Sequence, residues 1–271
     1  MEVTSFHDPR IKLSYWYPQL PNSVPTPETT ILSDTPLEKY SSEIGRELTP
    51  DQMREVVTPE LVERVRNAVT DLPTDKAHIR TDWKSSLFGS DGGSVIQSLE
   101  LEHVIEQLHH LRTSAIMNDF PVDTIIIREH LDLDPVYRTS YGSDLYPEVR
   151  FLVEEGSVLD GFVDIYPHDF IGASETKQED VIGEVQTTLD ADYNLLENHA
   201  KSVAETFSDS SWSVDFIQDA SGEWYCTDMA IYGVYFSEDK NKWNNISHVP
   251  HSNPYNPIMN RADEFPENPK D

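Results

Sequence analysis

The sequence predicts an α+β fold, and three observations predict it. Helical stretches alternate with paired strands rather than with single parallel strands, which argues against a doubly wound sheet. Two strand pairs carry turn residues between segments of period 2, while the segments between them carry apolar stripes at helical spacing. Hydrophobic residues make up 37% of 271 residues and aromatic residues 10%, low for a globular chain but enough for a core.

Taken in order, Tyr15, Trp16 and Tyr17 form an aromatic patch that runs into a Pro-rich connector from Leu20 to Pro27. Thr58 followed by Pro59 is a helix start, an N-cap residue before a proline at the first helical position. Leu61, Val62, Val65, Ala68 and Val69 supply the buried stripe of that helix. A short strand is expected at 77–81, then a glycine-bearing turn or loop from Trp83 to Val95, and a second amphipathic helix over 99–117. Its apolar side holds Leu101, Val104, Ile105, Leu108, Leu111, Ala115 and Ile116. A buried strand follows at 122–127 and ends in the charged run Arg128-Glu129-His130. One hairpin joins 148–153 to 158–166 through Glu154-Glu155-Gly156; a polar loop is expected over 172–184, and a helix over 190–207 with Leu195, Leu196, Ala200, Val203, Ala204 and Phe207 buried. A second hairpin joins 212–218 to 223–232 through Asp219-Ala220-Ser221-Gly222. The Pro- and Asn-rich end, 237–271, reads as an extended tail, leaving an N-terminal lobe at 1–75 and a main domain at 76–236 divided near residue 130.

The charge excludes more than the fold does. Lys and Arg number 20 against 49 Asp and Glu, a formal charge of −29, so a basic nucleic-acid footprint is absent as a global property. No apolar run reaches the roughly 18 residues of a membrane span, and the N-terminus lacks a basic-then-apolar signal pattern. The single cysteine, Cys226, allows no internal disulfide and reads as a core thiol. A cytoplasmic protein is expected. Self-repulsion of this size weakens when about 1 M salt shortens the Debye length to roughly 3 Å, which points to the high-salt cytoplasm of a halophilic archaeon or to its virus; an ordinary acidic protein is the alternative.

Asp215 and Asp228 are the most informative acids. If the second hairpin closes with Gln218 opposite Glu223, both carboxylates project from one side as diagonal neighbours, roughly 6–7 Å apart at Cβ, a spacing that suits a shared Mg²⁺. A one-residue shift puts them on opposite sides, and two strand acids facing solvent is the other reading. Arg80 and Lys84 precede the glycine loop, where cations beneath backbone N–H groups can clamp phosphate oxygens; a plain turn is the alternative. Arg150 lies with Glu148 on the less apolar side of its strand, where a surface Arg–Glu pair is the bland reading. His109 and His110 lack partners at ligand spacing and read as a solvated face.

In this order the segments resemble the ATP-grasp family over residues 10–236. The resemblance is carried by Trp16 and the VPTPET run at 24–29, HIRTDWKSS at 78–86, IIIREHLDL at 125–133, PEVRFLVEEG at 147–156 and WSVDFIQDASGEWYCTDMA at 212–230. It implies two lobes whose antiparallel sheets grip ATP, preceded by a short N-terminal lobe. It places ATP phosphates at Arg80 and Lys84 beneath a loop containing Gly92 and Gly93, and the adenine-reading hinge at Glu129 through Leu131, with Arg128 a further cofactor-binding residue. Arg150 would face the transferred phosphate, and Asp215 and Asp228 would hold Mg²⁺. The implied reaction is ATP-dependent ligation of a small-molecule or peptide carboxylate through an acyl phosphate. The chain departs from the family pattern at Asp228-Met229-Ala230, where many members carry Glu-x-Asn. A nucleotide-binding module without catalysis, or an acidic virion-associated protein docking a partner through its tail, are the alternatives. Neither nucleic acid nor membrane is expected as a partner.

Overall fold

The computed structural model describes residues 9–39, 48–83, 95–117, 122–138, 144–164 and 174–231. These fall into two compact units, one spanning Asp8–Asp132 with Tyr225–Ala230, the other Leu133–Trp224 with Ile231 onward. No helix among the described residues is long and apolar enough to cross a membrane.

In the first unit the chain forms α1 (Leu13–Trp16), β1 (Thr29–Leu32), α2 (Pro50–Val56), α3 (Pro59–Thr70), β2 (Ala77–Thr81), β3 (Val95–Ile96), α4 (Leu101–Met117) and β4 (Ile125–Glu129). The four strands make one antiparallel sheet of order β1-β4-β2-β3. α3 starts where expected, with Thr58 Oγ1 accepting from Leu61 N at 3.2 Å, and all five predicted stripe residues are buried. The same Thr-Pro signature at Thr49-Pro50, unremarked in the sequence reading, starts α2 through a reciprocal capping box with Gln52. Ala77 and Ile79 of β2, Ile96 of β3 and Ile125 and Ile127 of β4 pack with the stripes of α3 and α4 in one core. Strand periodicity then sends His78, Arg80, Ile126, Arg128 and Thr29 to the other face. β4 starts three residues and ends two residues later than expected, so Arg128 and Glu129 lie inside the ladder. Leu101, expected in the buried stripe of α4, is instead exposed, because it stands at the first residue of the helix.

The second unit contains β5 (Tyr137–Arg138), β6 (Asp144–Leu145), β7 (Glu148–Glu154), β8 (Ser157–Val163), α5 (Glu175–Thr206) and β9 (Trp212–Gln218). β10 (Trp224–Ile231) has its ends in this unit and its middle, Tyr225–Ala230, in the first. The larger sheet has the order β10-β9-β7-β8. The turn between β7 and β8 places Glu155 and Gly156 at φ 49° and 78°, the mirror-image two-residue turn suited to strand twist. A bulge beyond Leu152 then shifts the ladder by one residue and leaves Leu159 51% exposed. On one face Phe151 meets Phe216 edge-on at 5.9 Å and Tyr193 of α5 at 5.6 Å. Gly161, opposite Phe151, has no room for a side chain, since a Cβ there would lie 2.5 Å from the ring.

The expected loop at 172–184 is overturned: α5 is a single helix that begins at Glu175 behind the cap Ser174. Val181, Val185 and Leu189 recur every four residues and are fully buried, so burial of that stripe outweighs the helix cost of Gly183. Leu195, expected in the core, is 49% exposed; its neighbour Leu196 takes the buried position.

Candidate functional site: two arginine clusters of opposite imbalance

In the first unit, alternation along β2 puts His78 and Arg80 on the face away from the core, and the ladder sets Arg128 directly across from His78. Arg80 gives Nε to Thr81 O at 3.3 Å and Nη2 to Trp83 O, with Nη1 3.6 Å from Asp228 Oδ2. Arg128 gives Nε to Thr29 Oγ1 at 3.2 Å and Nη1 to Thr227 O at 2.5 Å, while its Nη2 is buried without a hydrogen-bond partner. Burial first and Arg80 second pull the Arg128 guanidinium down to about 10, against the opposing pull of Asp228, so it stays charged at neutral pH. Burial, reinforced by Arg80, Arg128 and His130, pushes the His78 imidazole down to about 3; it is neutral throughout the physiological range. Among the described residues, two guanidiniums, one carboxylate and a neutral imidazole leave a formal surplus of +1.

Glu129 closes the edge of β4: its N donates to Glu28 O at 2.8 Å and its Oε2 accepts from Glu28 N at 3.1 Å. Leu131 follows, half-buried and beyond the strand. Asp82, which the sequence reading passed over, is fully buried and accepts from Ser14 N at 2.7 Å and Ser14 Oγ at 2.5 Å, capping α1 beneath Lys12. Lys84, Gly92 and Gly93 lie outside the described residues. His109 and His110 are exposed, and Cys226 is buried.

In the second unit the cross-strand register builds the opposite arrangement. Arg150 of β7 lies directly across from Asp215 of β9, which it grips through Nε to Oδ1 at 2.5 Å and Nη2 to Oδ2 at 2.8 Å. Asp164, one residue past β8, donates its N to Glu148 O at 2.9 Å, and its Oδ2 lies 2.7 Å from Arg150 Nη2. Glu148, Asp164 and Asp215 bring carboxylate oxygens within 4.8 Å of one another. Arg150 is therefore a buried hub and not the surface pair of the bland reading. Among the described residues, three carboxylates and one guanidinium leave −2, and an all-oxygen donor set of that charge suits a hard divalent cation such as Mg²⁺.

Asp215 and Asp228 each have an arginine of their own unit. The turn between β9 and β10 closes on Asp219, not Gln218: Asp219 N donates to Glu223 O at 2.9 Å, Gly222 N donates to Asp219 O at 3.0 Å, and Gly222 adopts φ 88°. The closure supposed from the sequence, Gln218 opposite Glu223, is therefore not the one found at the turn.

No family model matches the chain, and no curated protein matches it. Among solved structures, C-terminally truncated Cdc123 from Schizosaccharomyces pombe matches with a TM-score of 0.53 and 14% identity, over 92% of this chain and 94% of that one. The fold is ATP-grasp-like. Two further matches have TM-scores of 0.41 and 0.37. They are D-alanyl-alanine synthetase A from Vibrio cholerae, at 10% identity over 80% of this chain, and the ATP-grasp ligase PsnB complexed with a minimal precursor, at 12% over 82%. This chain spans 52% of each of those two. At such identities the likeness concerns the fold.

Proposed function

We propose that the chain is an ATP- and Mg²⁺-dependent ligase that activates a carboxylate. The observation that carries this reading is the opposite charge imbalance of the two clusters, +1 in one unit and −2 in the other, each complementary to one component of MgATP. Arg80, with Lys84, Gly92 and Gly93, takes the phosphates, and Glu129 through Leu131 form the edge that reads adenine and ribose, with Arg128 beside them in the nucleotide site. Asp215, with Glu148 and Asp164, holds Mg²⁺, which supplies neutralisation of phosphate charge; Asp228 is a further metal candidate. Arg150 faces the acyl phosphate.

In the reaction a carboxylate oxygen of the substrate attacks the γ-phosphorus of ATP. The bond to the β-phosphate oxygen breaks and ADP leaves. An amine then attacks the acyl carbon and expels inorganic phosphate, losing its proton to solvent. The residues named here bind, orient and neutralise.

One observation favours a second reading, a nucleotide-binding module without turnover: Ala230 stands where the resemblance expects an Asn ligand, and Asp228 is paired with Arg80. Phosphate release from ATP, screened with Mg²⁺ against carboxylates and amines in molar salt, separates the two. Acceptor-dependent release supports the ligase; ATP binding without release selects the second. The net charge of −29 also supports salt adaptation, checked by thermal melts: the midpoint should rise as KCl is raised to about 1 M, and an unchanged midpoint removes the halophilic reading.

A further inference from the structure

The first unit's cluster holds an imbalance that its own hydrogen bonds do not remove. Arg80 spends its donors on Thr81 O, Trp83 O and Asp228. Arg128 is 5% exposed and uses Nε and Nη1, but its Nη2 is buried with no acceptor. A buried donor on a charged group left unmade is costly, and in native structures such a group points to an absent partner. That partner is an anion. The cluster already carries one positive charge in excess, His78 opposite Arg128 stays neutral and brings no acceptor charge, and Asp228, the acid among them, is held by Arg80.

We propose that Arg128, rather than Arg80, is the principal oxyanion-binding residue of this unit, donating from Nη2 to a phosphate oxygen of the bound nucleotide. The proposal rests on the nucleotide reading above and sharpens it by moving the anion from Arg80, which the ATP-grasp resemblance selects for the phosphates, to a residue that the resemblance gives no particular role in the nucleotide site. Planar guanidinium geometry suits a phosphate. With Nε fixed by Thr29 and Nη1 by Thr227, the fork is already oriented, so little side-chain freedom remains to be lost on binding. Loading the site disturbs packing over Nη2 but breaks no hydrogen bond.

The test uses the full chain, with calorimetric titration of ATP, adenosine and pyrophosphate into wild type, Arg128→Met and Arg128→Lys. Arg128→Met is expected to weaken ATP and pyrophosphate by at least about tenfold, while adenosine binding stays within about twofold and Arg128→Lys recovers part of the loss. Should Arg128→Met not fold, the decision falls to Arg128→Lys and to wild type, whose melting temperature pyrophosphate should raise. Unchanged ATP affinity in the variants, or no response of wild type to pyrophosphate, overturns the assignment and leaves nucleotide binding intact. Binding of pyrophosphate through Arg128 without any binding of ATP or adenosine keeps the oxyanion site and removes the nucleotide reading.

Discussion

Arg128 and Arg150 are both buried, both sit on sheet strands, and both lie directly across the ladder from an ionisable residue, yet their surroundings are inverted. Arg150 faces Asp215 and meets Asp164 and Asp215 at 2.5–2.8 Å, so acids outnumber it. Arg128 faces His78, touches two neutral oxygens and keeps one donor unmet. The residue that the register sets opposite each arginine accounts for the contrast: a carboxylate opposite Arg150 takes two of its donors, whereas an imidazole opposite Arg128 brings no negative charge.

The largest effect should come from breaking the acid-rich side. Arg150→Met strips Asp164 and Asp215 of the guanidinium they share, and denaturant unfolding should show a loss of about 3–5 kcal/mol, partly restored by millimolar Mg²⁺ that takes the vacated charge. Arg128→Met removes a guanidinium that is short of partners, so its loss should be smaller by at least about 2 kcal/mol; equal losses would erase the contrast. Next comes acid. An unfolded His78 takes its proton near 6.5 and the folded one at about 3, so between those values the unfolded chain binds more protons and stability falls as pH falls. The wild type should lose on the order of 1–2 kcal/mol between pH 7 and 5 that His78→Gln does not lose; matching pH profiles would remove His78 from the account. The smallest effect is expected from Thr29→Val, which takes the acceptor from Arg128 Nε and should cost about 1 kcal/mol by thermal denaturation.

Much of the frame was legible because local rules agree with the fold. Thr58-Pro59 with its five-residue stripe, the strand at 77–81 and both hairpin turns follow from caps, periodicity and glycines at positive φ. The first half of α5 was hidden by its polar composition and Gly183, although the spacing of Val181, Val185 and Leu189 was the available signal. The site was legible by residue and not by neighbour. Arg150, Asp215, Arg80 and Asp228 stand out as charges on apolar strands, but which of them meet depends on register. A single residue matters there: the bulge near Leu159 separates the first turn from the pairing of Glu148 with Asp164. No composition rule reads a bulge, so Asp164 was missed. The unmet donor of Arg128 depends on a register partner and on Thr227, about a hundred residues away in the chain.

The central claim, a cation site around Arg150 and an anion site at Arg128, is tested most directly by one crossed titration on the full-length chain. Asp215→Asn and Arg128→Met are each titrated with Mn²⁺, followed by electron paramagnetic resonance, and with metal-free ATP, followed by calorimetry. The account predicts that Asp215→Asn loses Mn²⁺ and keeps ATP, and that Arg128→Met keeps Mn²⁺ and loses ATP. Mn²⁺ bound as well by Asp215→Asn as by wild type, or both ligands lost together in both variants with the fold intact, would contradict it.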